Sequence, residues 1–560
     1  VTRRDLGAPG DPPAPLVDAW AVARDGRRLE LAVELRARPL RCGTVVETSV
    51  ALEGRAPAAV DRVVLTVPAR PTLVLEHGWQ SWSTVRVCRP AEVVPARAQA
   101  PWWLRAQLHA DPALGARAVA GDGFLLHDGG LVGFLAERRH LGTVLARPAA
   151  RGEDGSLEIV AHLDGMLLEP GAPFALEPLW HADGDPGAAY SAYAELAGRH
   201  LGARTATLPP LGWCSWYQYG PGLDATTLAR QATLARAAGL GLFQVDDGWQ
   251  RAIGDWTSTR DGLGASLGEL ADMALGAGLV PGLWTAPFLV ASESPIATSR
   301  ADWLVRDRDG RPLVALRNGA WGGAVFVLDT TVPAVLEHLE ATYALLASLG
   351  FSYHKIDFSY AAALPGRRHD PAATRAQALV AGLAAIRRGL GEESFLLGCG
   401  VPLLPATGFV DAARVGEDVA PYWEPRDAPA GYDLSCVGAR NALSASLLRA
   451  PLHRRLFLND PDCLLLRPTA TELSAAERLA LARCALGLGG YLVVSDDLGL
   501  YGRAEHGLLA SLAACRRDVD APVDLPRPFD TPLRLEGPRH RLIADAASAT
   551  AEIVGPGAAP

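Results

Sequence analysis

Lys355 and Asp357 stand two residues apart in Phe351-Ser352-Tyr353-His354-Lys355-Ile356-Asp357-Phe358, a run that reads as a short buried strand ending in a carboxylate. Lys355 is the only lysine in the 560 residues; every other basic side chain is Arg or His. A lysine kept in so arginine-biased a sequence suits a role for a compact point charge rather than a planar fork. Residues i and i+2 of a strand share a face, so cation and carboxylate would stand together at one strand end. The plain alternative is a surface ion pair.

Three further carboxylates, Asp246, Asp247 and Asp418, also follow short apolar runs. Two chemistries compete for the set. One is oxygen ligation of a divalent metal such as Mg2+. The other divides the carboxylates into acceptors for sugar hydroxyls and an acid pair that cleaves a glycosidic bond. The lone lysine favours the second, because a metal would supply the positive charge itself. A neighbouring cation favours the ionised carboxylate that a nucleophile needs, which suits Asp357. Asp418 lies near Tyr422 and Trp423, where partial desolvation would raise its pKa and fit it for acid/base work. Arg414 could fork onto hydroxyls. Asp246 and Asp247 are adjacent on an extended chain, so their side chains diverge and could grip two neighbouring hydroxyls. A helix N-cap beside a solvated acid is the competing reading of that pair.

Short apolar strands alternate with Ala/Leu/Arg-rich helical stretches from about residue 205, the βα rhythm of a parallel sheet. Eight strands are expected near 212–216, 242–247, 281–286, 353–357, 395–399, 413–416, 456–459 and 490–495. Helices are expected near 225–238, 266–277, 332–349, 373–389, 437–449 and 472–487. Eight strands in this length fit a (β/α)8 TIM barrel, whose C-terminal mouth would gather all the residues named above. A doubly wound sheet would want a Gly-rich phosphate turn after an early strand, and none is present.

Residues 1–185 show period-two alternation between Gly/Pro/Asp turns, as in Leu29-Glu30-Leu31-Ala32-Val33-Glu34-Leu35, and predict an antiparallel β-sandwich. Within it, His77-Gly78-Trp79-Gln80-Ser81-Trp82-Ser83 offers two indoles as core anchors or as a platform for a sugar face. Residues 186–204 predict a helical linker, 205–504 the barrel, and 505–560 a small C-terminal β unit with a fraying tail at 555–560.

The net charge of -9 leaves no basic stripe to neutralise phosphates and argues against a nucleic-acid partner. No run reaches the roughly 18–20 apolar residues of a membrane span. The eight cysteines form no CxxC pair and no zinc spacing with His, which suggests reduced thiols and a cytoplasmic location. No apolar leader follows Val1-Thr2-Arg3-Arg4-Asp5. Gly264-Ala265-Ser266-Leu267-Gly268 matches a nucleophile-elbow pattern but follows a loop rather than a strand, and is set aside.

The strand-end segments are Gly212-Trp213-Cys214-Ser215-Trp216-Tyr217, Val245-Asp246-Asp247-Gly248-Trp249-Gln250, Gly282-Leu283-Trp284-Thr285-Ala286-Pro287-Phe288, Lys355-Ile356-Asp357, Arg414-Val415-Gly416-Glu417-Asp418 and Leu458-Asn459-Asp460-Pro461-Asp462-Cys463. They resemble those of the family 36 glycoside hydrolases of the α-galactosidase (melibiase) clan. They occur in the family's order, and Gly78-Trp79-Gln80-Ser81-Trp82 is similar to part of its sandwich domain. The resemblance covers about residues 70–500.

It implies a retaining exo-α-galactosidase with Asp357 as nucleophile and Asp418 as acid/base. Asp246 and Asp247 would bind the 4- and 6-hydroxyls. Lys355, Cys399, Arg414, Trp216 and Trp284 would line the rest of the sugar site, and Trp79 or Trp82 would close it. It implies no metal or organic cofactor, an oligosaccharide or other α-galactoside as substrate, and either a monomer or a homo-oligomer. Cys399-Gly400-Val401-Pro402 departs from the family's Gly-rich segment, which leaves pocket size and substrate range open. An α-N-acetylgalactosaminidase and an α-galactosyl transferase remain alternatives within the fold. A metal-dependent lyase or isomerase and an inactive sugar-binding protein remain alternatives outside it.

Overall fold

The computed structural model describes residues 3–5, 18–91, 119–147, 155–205, 208–429 and 432–555. Most of the segment expected to hold no leader, and the tail at 556–560, lie outside the described residues.

The barrel strands are Gly212–Cys214 (β1), Leu242–Val245 (β2), Val280–Thr285 (β3), Tyr353–Ile356 (β4), Phe395–Gly398 (β5), Ala412–Arg414 (β6), Leu458–Asp460 (β7) and Val493–Val494 (β8). They pair in parallel in the order β7-β6-β5-β4-β3-β2-β1-β8. Leu464, just past β7, bridges Val494 in parallel and joins the two ends. All eight fall where the alternation of the sequence puts them. Most are buried along their whole length, as strands of a parallel sheet covered by helices must be.

Helices follow the strands at Ala225–Ala237, Leu267–Gly276, Pro333–Ser348, Arg375–Leu390, Leu403–Ala406, Ala439–Leu448 and Ala475–Gly487. Their starts are locally encoded. Ser266, Thr374 and Ser474 cap with Glu269, Gln377 and Glu477 in reciprocal capping boxes. One expectation fails here: the chain after about 505 is not only β pieces. Arg503–Cys515 is a further helix after β8, opened by a bond from Gly502 N to Glu505. Glycine at the cap hides the Ser/Thr start signal, and only Leu509 and Leu512 are buried along it.

The connection from β3 to β4 carries a small antiparallel sheet, Leu289–Ala291, Gly323–Val327 and Val314–Asn318. The one from β2 carries a hairpin, Gln250–Ala252 with Asp255–Thr259.

The N-terminal strands form one large sheet, antiparallel except where Arg3–Asp5 joins Arg28–Leu40 and where His77 pairs with Gly121. Its path closes on itself: Gly43–Leu52 pairs with both Arg28–Leu40 and Leu179–Asp183. The layers expected of a sandwich are therefore continuous at this edge. Leu31, Val33 and Leu35 turn inward in alternation, as the sequence predicts. Helix Pro186–Leu201 crosses to the barrel with Tyr190 and Tyr193 fully buried, and Tyr193 donates to the Phe134 carbonyl at 2.6 Å. One apolar core runs through sheet, helix and barrel. Three antiparallel strands, Leu533–Glu536, Arg541–Asp545 and Thr550–Val554, form the C-terminal β unit, packed on Ala475–Gly487 through Leu542. No helix among the described residues is long and apolar enough to cross a membrane.

Candidate active site

Alternation along β4 sets the site's floor. Tyr353, Lys355 and, just beyond the strand, Asp357 share one face, while His354 on the other bonds the Phe351 carbonyl. Tyr353 meets the Tyr491 hydroxyl at 2.5 Å. Lys355 is 6% exposed and donates to Asp246 Oδ2 at 2.9 Å. Burial works against its charge, but Asp246, Asp357 and Cys399 outweigh burial and hold its pKa well above the ordinary lysine value. The sequence expectation paired Lys355 with Asp357. Its hydrogen bond goes instead to the next-but-one strand, and it acts on Asp357 through space.

Asp357 is held by other donors. Trp284 Nε1, from the end of β3, reaches Oδ2 at 2.9 Å, and the Phe358 amide reaches Oδ1 at 2.7 Å. Trp284 is itself fixed by the indole of Trp256, edge-on at 5.9 Å, and by Trp249 Nε1, which donates to its carbonyl at 2.9 Å.

Asp246 and Asp247 diverge as expected. Asp246 Oδ2 also accepts from Gln244 Nε2 at 2.5 Å and Cys214 Sγ at 3.5 Å, and Oδ1 from the Asp247 amide at 2.9 Å. Asp247 accepts from Gln250 Nε2 at 2.6 Å and Trp321 Nε1 at 2.9 Å. Burial raises the Asp247 pKa, aided by the charges of Asp246 and Asp357 and opposed by those two donors. Neither aspartate caps a helix. Among the described residues no three His, Cys, Asp or Glu side chains converge as metal ligands.

Asp418 lies beyond β6 and accepts from Arg414 Nη1 at 3.2 Å and Trp82 Nε1 at 3.1 Å. Burial raises its pKa; Arg414 opposes this, and the negative charge of Asp357 adds to it. Cys399, at the end of β5, is 1% exposed and feels Asp357, Arg414, Lys355 and Asp418 together. Beyond Asp418 a cavity of about 370 Å³ is lined by Trp82, Phe358, Glu417, Tyr422, Arg426 and Cys436, among others.

The chain is similar to known proteins. Residues 204–390 match the melibiase family model. TtGalA, an α-galactosidase from Thermus thermophilus solved in complex with stachyose, is 32% identical. That alignment covers 87% of this chain and 97% of TtGalA, with a TM-score of 0.71. The chain belongs to the melibiase family of α-galactosidases.

Curated relatives match over shorter stretches. α-Galactosidase AgaA of Geobacillus stearothermophilus is 30% identical over 136 residues, 23% of this chain and 18% of AgaA. The bifunctional α-galactosidase/sucrose kinase AgaSK of Mediterraneibacter gnavus is 28% identical over 94 residues, 16% of this chain and 10% of AgaSK.

Within this melibiase-family barrel the two N-terminal tryptophans part company. Trp82 reaches Asp418, whereas Trp79 faces away into the layer with His77, Phe124 and Leu404, and its carbonyl accepts from Leu403 N at 2.8 Å. Trp216 is half-buried at the start of the short helix after β1, and its neighbour Tyr217 makes the hydrogen bond into the site, to Asp462. Gly400 has φ of +54°, and a Cβ there would meet the Trp82 ring at 2.6 Å, so this departure from the Gly-rich segment keeps the glycine that admits the indole.

Four residues escape the sequence reading. Trp321 lies in a turn of the inserted sheet. Phe358, at φ of +52°, touches both Trp82 and Trp321, with ring centroids 4.9 and 5.2 Å away. Gln250 and Tyr217 stand inside segments quoted for their neighbours. Loop Trp321 has no periodicity to betray it.

Proposed function

We propose that this chain is a retaining exo-α-galactosidase that works by double displacement on terminal α-D-galactosides. The observation that carries the reading is the contrast between two carboxyls near enough for the charge of one to raise the pKa of the other. Asp357 accepts from a donor at each oxygen, as a carboxylate does. Asp418 is half-buried, and desolvation raises its pKa, as suits a proton donor.

In the first step an Asp357 oxygen bonds to the anomeric carbon as the bond from that carbon to the leaving oxygen breaks. Asp418 gives its proton to that oxygen. In the second step Asp418 takes a proton from water, whose oxygen attacks the anomeric carbon and releases Asp357. Two inversions give net retention. Asp246 and Asp247 accept from sugar hydroxyls, and Lys355 and Arg414 donate to them. TtGalA, solved with stachyose, supports a sugar leaving group.

Hydrolysis of an aryl α-galactoside by Asp357→Ala, with and without azide, tests this. We expect a loss on the order of 10³-fold or more, as for removal of other nucleophiles. Azide should restore turnover and yield β-galactosyl azide. Wild-type rates in Asp357→Ala would overturn the assignment.

A further inference from the structure

Arg414 faces three carboxylates. Its Nε lies 3.0 Å from Asp460 Oδ2, its Nη2 2.7 Å from Asp462 Oδ1, and its Nη1 3.2 Å from Asp418 Oδ1. The longest of the three contacts goes to Asp418. Asp462 has a side chain with no exposure and a backbone φ of +80°, a strained conformation for a residue with a Cβ. Four donors hold it there. They are Arg414, the Cys463 amide at 2.6 Å, the Tyr217 hydroxyl and the Val419 amide at 2.7 Å. Val419 is the residue after Asp418.

We propose that Asp462 is a positioning residue for proton donation: it absorbs the Arg414 charge and pins Val419, so that Asp418 keeps its proton in the resting site. The inference rests on the acid/base reading of Asp418. An uncompensated guanidinium 3.2 Å away would favour the Asp418 carboxylate and leave no proton to give. Asp460 shares the compensation but does not touch Val419.

The other groups facing Asp418 are known. Lys355 is paired with Asp246, and Asp357 adds negative charge. Cys399 faces Asp418 from β5, and Glu417 from its own loop. Tyr217, from the end of β1, faces both Asp418 and Asp462. Burial pushes Asp462 up to about 6 against the pull of Arg414. Asp462 therefore takes up a proton at higher pH than an ordinary carboxylate, and its compensation of Arg414 fades as pH falls.

That gives Asp462→Asn a signature a structural role lacks. Its kcat/KM on a galactoside with a sugar leaving group should approach wild type below pH 6 and fall behind above it. The basic limb should move down by about one pH unit, a tenfold loss there. A nitrophenyl leaving group needs little proton assistance, so the loss on that substrate should be much smaller. Asp460→Asn should move the limb the same way, and carries the charge test if Asp462→Asn does not fold. A uniform loss at every pH on both substrates, or an unmoved limb in both variants, overturns the proposal. Asp418→Ala run on the same two substrates separates the two readings. If it harms both equally, the acid/base assignment fails, and this inference with it.

Discussion

At the scale of residues, each carboxylate of the site accepts from a side chain of a distant segment: Asp246 from Lys355, Asp247 from Trp321, Asp357 from Trp284 and Asp418 from Trp82. Asp246 depends on a cation from β4, and Asp247 on an indole from the inserted sheet. Lys355→Met would leave Asp246 buried without its cation, a change that costs about 3–5 kcal/mol in comparable pairs. Thermal denaturation should show a lowered Tm, and kcat/KM should fall with it. Trp321→Phe keeps the ring but removes the donor to a carboxylate, worth about 1.5–3 kcal/mol. We expect KM to rise on the order of tenfold or more, with a smaller change in kcat, in steady-state assays. The carboxylates face hydrogen-bond donors of their own rather than one shared point. Exhaustive chelation should therefore leave kcat/KM unchanged; a loss restored by a divalent cation would contradict the acid-pair chemistry.

At the scale of elements, the loop from His77 to Ser83 is where the N-terminal sheet enters the active site. Arg449, with no exposure, ties it down. Its Nη2 donates to the carbonyls of Gly78 at 2.7 Å and Gln80 at 3.2 Å, and Nη1 to that of Val415 at 2.8 Å. Ser81 Oγ accepts from Gly400 N at 3.1 Å and adds a second tie. One guanidinium thus links the Trp82 loop to the segment that leads to Asp418. Arg449→Met would strand the buried carbonyls of Gly78 and Val415, each costing about 1–3 kcal/mol, while that of Gln80 keeps the Ser83 amide. A large drop in Tm, and a loss of activity beyond what partial unfolding explains, should accompany it. Nothing in the run Ala442-Leu443-Ser444-Ala445-Ser446-Leu447-Leu448-Arg449 marks that role, because its partners are backbone carbonyls, two of them more than 360 residues away.

At the scale of the whole molecule, the N-terminal sheet is part of the enzyme's core. Tyr190 and Tyr193 pack on Phe124, and the apolar cluster continues from there into the barrel. A fragment starting at residue 205 would lose Trp82 from the site and expose that apolar face. We expect it to aggregate on expression, read by the soluble fraction, while the full chain stays in solution.

The eight barrel strands, six of the helices and the carboxylates at the strand ends were legible in the sequence. Their signals are local: apolar runs, capping boxes and period-two alternation that fixes which side chains share a face. Tertiary structure alone decided the partners. Lys355 faces Asp246 because barrel strands splay their ends toward a common centre, which no one-dimensional pattern encodes. Trp82 rather than Trp79 reaches Asp418 because Gly400 leaves room for its ring. Trp321 reaches Asp247 from a loop, and Asp462 sits behind Arg414 at a backbone angle that only its four donors make tolerable. Alternation sets which way a side chain points; what it meets there depends on segments far away in the chain.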